Sequence, residues 1–333
     1  MKRLGNLWDK VTSFSNLYLA YKKAAKGKRN QVKVAQFSYQ LEAELFAMQA
    51  ELRSGSYRFG GYRKFIIFDR KPREISAAPF RDRVLHHAIM NVLEPIFEAR
   101  FYHHSYACRK GKGAHLAVNV YQVWARKYRY VLKLDIRSFF ASINNKILFD
   151  KIKRVIKDKP LLFLIRELLK SPQQLVGLPM GNLTSQCFAN LFLNELDHKV
   201  ASQSPAYLRY VDDLTIMSNC KSQLWAIQNV IESELVAIGL VLHPRKQSLL
   251  RTVQKVDMLG YKVSSTRRWV RNDNGYRFAR KYRQKHRRYI QGKLPLDFVK
   301  ASMMAWIGHA VHGESVGLRR AIISPLNWAV SAQ

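Results

Sequence analysis

The sequence predicts an α+β fold whose core is mostly antiparallel, and three observations carry that expectation. Strand-like runs alternate irregularly with amphipathic segments. Two of those runs flank an Asp-Asp pair in "LRYVDDLTIMS", Leu208 to Ser218, as in a hairpin. The 333 residues are 47% apolar, enough for a sizeable core.

The elements follow in chain order. Residues 1–55 read as helical, with "QVKVAQFSYQLEAELFAMQAEL" placing apolar residues three and four apart before Gly55. "YRKFIIFDRKPREISAA" reads as two short strands around a basic turn containing Pro72. "FRDRVLHHAIMNVLEPIFEARF" reads as an amphipathic helix stopped near Pro95. "YRYVLKLDIRSFFASI" is a buried strand ending at Asp135, then a turn and a short helix. After "GLPMGN", a helix runs from Leu183 to Val200 with Asn182 or Thr184 near its cap. The hairpin is followed by a helix from Lys221 to Ile238 closed by Gly239, and by a strand at "LVLHPRK". "VDMLGYKV" and "RRWVRNDNGYRFA" read as further strands around an Asn-Asp-Asn-Gly turn. The remainder, from about Arg277, looks helical.

Charge narrows the function. Lys+Arg number 57 against 23 Asp+Glu, a formal net charge of +34, so the expected partner is a polyanion and nucleic acid leads. No run of about twenty apolar residues exists, since Pro172 and Pro179 break even the uncharged stretch from Ser171 to Asn194. The N-terminus lacks an apolar signal region, and Cys108, Cys187 and Cys220 lack metal spacing; a reducing cytoplasm is the expected compartment. "RKGKGAH" lacks the spacing of a phosphate loop, and His86-His87 and His103-His104 read as core or RNA contacts, not zinc ligands.

Acidic residues are scarce here, which makes their clustering informative. Asp135 at a strand end and Asp212-Asp213 at a hairpin tip would meet at one sheet edge. Gathering like charges raises their pKa values unless a cation neutralises them, so divalent metal is the natural complement. Two Mg²⁺ ions about 3.5–4 Å apart suit in-line phosphoryl transfer. An exposed hairpin turn and a strand-end cap are the plain alternatives.

On these motifs the chain resembles the reverse transcriptases. "YVDD" at 210–213 resembles their catalytic hairpin, "LKLDIRSFFASI" their first catalytic strand, and "GLPMGNLTSQCFANLFLNELD" their template-and-substrate helix. "HPRK" at 243–246 and "MLGY" at 258–261 fall in the order of the later palm motifs. Within the family, "LGNL", "KPREISAAPFRDRVLHHA", "SYACRKGKGAH", "GLPMGNLTSQ" and "AWIGHA" resemble the enzymes of diversity-generating retroelements from bacteria and phage; retron, group II intron-like and phage-defence enzymes share the same palm.

The resemblance implies a right-hand polymerase fold: an N-terminal helical extension over 1–55, fingers over 56–134, a palm over 135–262 and a short basic thumb over 263–333. It implies that Asp135, Asp212 and Asp213, with the Ile136 carbonyl, hold two Mg²⁺ ions, Mn²⁺ being a possible substitute. Lys246 would protonate departing pyrophosphate or contact a template phosphate. Lys71 and Arg73 would meet the incoming triphosphate, where a guanidinium fork suits its oxygens. Phe140 would lie under the sugar and exclude a 2′-hydroxyl, the alternative being that Phe139 or Phe140 is simply core; Met180, Gly181, Ser185 and Gln186 would line the base pair. Met180 departs from the Gln of many relatives, a change associated with loose selection opposite adenine. Tyr210, Leu259, Gly260 and Tyr261 would touch nucleic acid. Arg277, Arg280, Lys281, Arg283, Lys285, Arg287 and Arg288 would track a duplex backbone while Phe278, Tyr282 and Tyr289 pack inward. Implied partners are a structured noncoding RNA template, an RNA/DNA hybrid, dNTPs and a small basic accessory protein, with no membrane. The other possibilities are a defence or retron-like enzyme making effector cDNA, and an inactive RNA-binding scaffold.

Overall fold

The computed structural model describes residues 2–68, 72–171 and 175–324, and the chain is α+β. It divides into two units, the first comprising residues 1–111, 134–214 and 225–247, the second 112–133, 215–224 and 248–333.

The first unit opens with four helices, α1 (Trp8–Thr12), α2 (Phe14–Ala25), α3 (Val32–Tyr39) and α4 (Leu41–Ser54). Gly55 closes α4 in the left-handed conformation, φ 72°, where a residue without Cβ carries no penalty. An antiparallel hairpin follows, β1 (Arg63–Phe68) with β2 (Pro72–Ala77), Phe68 facing Pro72. Pro72 opens β2, where its missing N–H costs no ladder bond.

Helix α5 (Phe80–Glu98) is the spine of this unit, burying Val84, Leu85, Ala88, Ile89, Leu93 and Phe97. It runs through Pro95 instead of stopping there. Proline that close to the C-terminus forfeits one hydrogen bond and leaves the packing of Phe97 to finish the helix. Helix α6 (Ala114–Ala125) and most of β3 (Tyr130–Asp135) belong to the second unit. The first unit then adds α7 (Phe139–Ser142), α8 (Asn145–Val155) and α9 (Lys159–Lys170). The 21-residue α10 (Leu183–Gln203) begins at Asn182, whose side chain makes no cap bond. A hairpin of β4 (Tyr207–Tyr210) and β5 (Asp213–Ser218) follows, then α11 (Lys221–Ala237), ended by Gly239 at φ 76°.

A four-stranded sheet has the order β4-β5-β3-β6, where β6 is Ser248–Arg251 antiparallel to β3; both β3 and β5 contribute residues to each unit. The expected strand at "LVLHPRK" is reduced to a single bridge, Ile136 with Leu242, because Pro244 ends the pairing.

The second unit holds the antiparallel sheet β7 (Val256–Met258), β8 (Tyr261–Val263) and β9 (Arg268–Val270), then α12 (Asn272–Ile290), α13 (Leu296–Ala310) and α14 (Val316–Ile323). Asn-Asp-Asn-Gly is the first turn of α12, not a turn between strands: Asp273 sits where acidic residues favour a helix start, and Gly275 packs against Leu318. Among the described residues no helix is long and apolar enough to cross a membrane.

Two features of the first unit give tests. His86 is 1% exposed, with neither ring nitrogen hydrogen-bonded, and burial holds its pKa down at about 3. The folded state therefore refuses a proton that the unfolded chain takes up below about pH 6.5, and stability falls as pH drops from that value toward 3. His86→Met removes this linkage: urea midpoints at pH 7 and pH 5 should show wild type losing about 2 kcal/mol more than the variant between them.

Gly181, at φ +105°, lies so close to β2 that an added Cβ would stand 2.9 Å from Ile75 Cγ2, beside the backbone bond from Ser76 N–H to the Met180 carbonyl, 3.1 Å. Gly181→Ala should cost roughly 1–3 kcal/mol in chemical denaturation through strain and clash.

Candidate active site

The candidate site lies within the first unit. Strand β3 delivers Asp135 at its end, and the β4–β5 hairpin delivers Asp212 in its turn and Asp213 as the first residue of β5. The turn is thus Val211-Asp212, one residue earlier than an Asp-Asp turn would be. Val211 takes φ 58°, a left-handed conformation that a β-branched residue adopts only under restraint.

Backbone bonds tie the carriers together. Ile136 N–H donates to the Asp212 carbonyl at 3.1 Å, and His243 N–H donates to the Asp135 carbonyl at 2.7 Å. Lys246, two residues beyond Pro244, places Nζ 2.7 Å from Asp135 Oδ2; the lysine side chain is 47% exposed and the aspartate 13%. Burial, then the charges of Asp213 and Asp135, push the Asp212 carboxyl up to about 6. Such a carboxyl gains from a nearby cation more than a solvated one does.

Among the described residues no three His, Cys, Asp or Glu side chains already converge as a metal-holding group. The chemistry of the donor set nevertheless fits a hard divalent cation: Asp135, Asp212 and Asp213 offer carboxylate oxygen alone, close enough for their charges to raise one pKa.

The other expected residues are distributed as follows. Phe140 is half-buried in α7 while Phe139 is 2% exposed and belongs to the core. Met180 is half-buried, Gly181 and Gln186 are exposed, Ser185 is buried, and Arg73 is exposed on β2 opposite Ile67. Lys71 lies outside the described residues. Tyr210 is half-buried, and burial raises its phenol.

The remaining candidates are in the second unit. Leu259, φ 48°, and Gly260, φ 95°, form the turn from β7 to β8, and the Tyr261 hydroxyl bonds the carbonyl and Nδ1 of His309 on α13. On α12 the cations Arg280, Lys281, Arg283, Arg287 and Arg288 are exposed and Arg277 and Lys285 half-exposed, whereas Tyr282 is fully buried. Phe278 stacks on Trp306 with ring centroids 4.2 Å apart, and Tyr289 is half-buried. One face of α12 is cationic and the other packs inward.

Sequence reading passed over Arg209 and Asp197. Arg209 side-chain exposure is 1% and that of Asp197 0%, with Nη2 2.6 Å from Oδ2 and Nε 2.7 Å from Oδ1. The available signal was an arginine inside the run Tyr207-Leu208-Arg209-Tyr210-Val211, a strand apolar or aromatic on both faces, where a buried arginine requires an acidic partner, and an aspartate one turn past Leu193 on an apolar helix.

Similarity to known proteins agrees with this geometry. The chain is 25% identical to Protein YkfC of Escherichia coli (strain K12) over 207 residues, 58% of this chain and 51% of that protein. It is 27% identical to the group II intron-encoded protein LtrA of Lactococcus lactis subsp. cremoris over 157 residues, 44% of this chain and 26% of that one. The chain thus spans about half the length of the first relative and a quarter of the second. Apo telomerase from Candida tropicalis shares the fold at TM-score 0.51 and 10% identity, over 80% of this chain and 60% of that one. Residues 68–263, more than half of the chain and including every carboxylate of the candidate site, match the reverse transcriptase (RNA-dependent DNA polymerase) family, to which this chain belongs.

Proposed function

We propose that the chain is an active RNA-directed DNA polymerase that copies a structured noncoding RNA. The observation that carries this reading is the approach of Asp135 to Asp212-Asp213 through the Ile136 N–H bond to the Asp212 carbonyl, 3.1 Å, at a sheet edge of a chain with charge +34. A chain so poor in acids gathers and partly buries three of them, which is costly without a cation to meet them.

Asp135, Asp212 and Asp213, with the Ile136 carbonyl, would hold two Mg²⁺ ions, with Mn²⁺ as substitute; once bound, the ions supply positive charge that activates the attacking hydroxyl and offsets charge on the phosphates. The primer 3′-hydroxyl would lose its proton to solvent as its oxygen bonds to the α-phosphorus of a dNTP; the bond from that phosphorus to the α,β-bridging oxygen would break and pyrophosphate would leave. Lys246, whose Nζ donates to Asp135 Oδ2 at 2.7 Å, would give that leaving group a proton. Arg73 on β2, and Lys71, would neutralise triphosphate oxygens, and Gly181 and Gln186 would line the base pair. Phe140 would stand beneath the sugar and reject a 2′-hydroxyl. The β7–β8 turn with Leu259 and Gly260, and Tyr210, would touch nucleic acid; Tyr261, expected there too, is fully buried with its hydroxyl on His309 and would support that turn from within, while the cationic face of α12 suits a duplex backbone.

In polymerase terms, residues 1–55 would be a helical extension, 56–134 fingers, 135–262 palm and 263–333 thumb. The finer reading is a diversity-generating retroelement enzyme, supported by its motif set and by Met180, which offers an apolar side chain where a positioning amide stands in many relatives. Reduced polar positioning would loosen base selection. A small basic accessory protein would accompany that role; effector cDNA from a defence or retron-like system is the competing one.

The test is to purify the protein with its co-purifying RNA, add dNTPs and Mg²⁺, and sequence any DNA. Asp212→Ala/Asp213→Ala should lower synthesis by at least about a thousandfold while leaving RNA affinity within about threefold. Substitutions concentrated at template adenines would establish the mutagenic role, and faithful or repetitive DNA the defence role. RNA binding without metal-dependent DNA would leave an inactive scaffold. In the same assay Phe140→Ala should raise ribonucleotide incorporation about ten- to a hundredfold relative to dNTP.

A further inference from the structure

We propose that Arg209 and Asp197 act as a positioning unit that fixes the Val211-Asp212-Asp213 turn, an inference that rests on the polymerase reading. In a chain this basic, an arginine beside the candidate site would ordinarily be assigned to phosphate. Arg209 cannot serve there: its side chain is 1% exposed and every guanidinium nitrogen has a protein partner.

Those partners define what it does. Nε and Nη2 grip both oxygens of Asp197 on α10. Nη1 donates to Asn190 Oδ1, 3.1 Å, also on α10, and to the Val211 carbonyl, 2.9 Å, in the turn itself. Asn190 Nδ2 donates to the Ala107 carbonyl at 2.9 Å. The Arg209 main chain is clamped on the same loop, accepting from Tyr106 N–H and donating to the His104 carbonyl. Tyr207 hydroxyl donates to Asp197 Oδ1 at 2.7 Å, so the aspartate is held from a second direction. One guanidinium therefore joins helix α10, loop 104–108 and the turn.

The turn needs such a restraint. Val211 has φ 58° without the freedom of glycine or the local side-chain bonding of asparagine. Its carbonyl is fixed by Arg209 and the next carbonyl, of Asp212, by Ile136 N–H. Together these bonds hold adjacent carboxylates in one relative geometry. Lysine keeps the charge but is a point donor; it cannot span both Asp197 oxygens, Asn190 and Val211 at once. The pair touches neither substrate nor metal, and acts through the turn.

The test compares Arg209→Lys and Asp197→Asn in the full chain, each checked for folded fraction by thermal melting. Per folded molecule, kcat should fall about a hundredfold, the loss expected from an ångström of misplacement, with dNTP KM and template–primer affinity within about threefold. Amide hydrogen exchange at residues 211–213 should accelerate, and Mn²⁺ binding followed by electron paramagnetic resonance should weaken, both read without catalysis. Adding Val211→Gly to Arg209→Lys should recover about tenfold in kcat, because glycine reaches that φ unaided. Normal kcat and unchanged exchange in either folded variant would overturn the proposal, as would a loss of activity that merely follows the unfolded fraction and is not relieved by Val211→Gly. Should wild type make no DNA, the polymerase reading fails separately, and the exchange and Mn²⁺ measurements still decide whether Arg209 holds the turn.

Discussion

The ion pair of Arg209 with Asp197 is the interaction on which the centre of the first unit depends. Both side chains are withdrawn from water, and removing water from two charges costs several kcal/mol per ion. The geometry offsets this: a two-pronged guanidinium–carboxylate contact, with further bonds to Asn190, Val211 and Tyr207. Burial opposes the arginine charge and Asp197 more than restores it, so the guanidinium pKa lies above its ordinary value. Losing one partner would strand the other, a penalty of roughly 3–5 kcal/mol. A fold that only required stability would do as well with apolar groups at these positions; what the charged pair adds is orientation.

The same economy governs several other acids of the first unit. Asp158 caps α9 and accepts the N–H groups of Leu7 and Trp8, fixing the N-terminal segment. Asp82 accepts from Tyr57 and from Gly60 N–H, pinning the chain that leads into β1. Glu98 grips Arg109 beside the loop that carries Ala107. In a chain with 57 basic residues and 23 acidic ones, each of these carboxylates has found a structural donor. Asp212 differs, because burial and then the like charge of Asp213 dominate its surroundings, with Asp135 adding to them against a backbone hydrogen bond and Lys246. That contrast separates a candidate reaction centre from ordinary capping.

The sequence exposed the elements whose periodicity is local. Gly55 and Gly239 end helices where expected, and Asp135 ends a strand as its apolar run suggested. The readings that failed depended on partners distant in sequence. Pro95 looks like a helix stop until Phe97 is seen to be buried, and "LVLHPRK" looks like a strand until Pro244 cuts its pairing to one bridge. Asn-Asp-Asn-Gly carries turn chemistry that serves equally to start a helix, and the packing of Gly275 on Leu318 decided the matter. The candidate carboxylates were legible because like charges in adjacent strands are conspicuous. Arg209 was not, since its meaning lies in Asp197, twelve residues earlier on another element.

Strain gives a further reason to favour an enzyme over a scaffold. Cys108, Ser138, Val211 and Leu259 all adopt positive φ, and each lies in a segment carrying a family-like motif: "SYACRKG", "DIRSFF", "YVDD" and "MLGY". Each such residue costs of order 1–3 kcal/mol and persists only where its surroundings over-determine it. Binding RNA through charge demands none of this, because an exposed cationic helix such as α12 suffices. Holding two carboxylates at a fixed angle to a third is a different requirement, one that a strained turn anchored by a buried ion pair meets and a relaxed turn does not. Strain concentrated at these loops is what the proposed nucleotidyl transfer would call for, and passive RNA binding gives no reason for it.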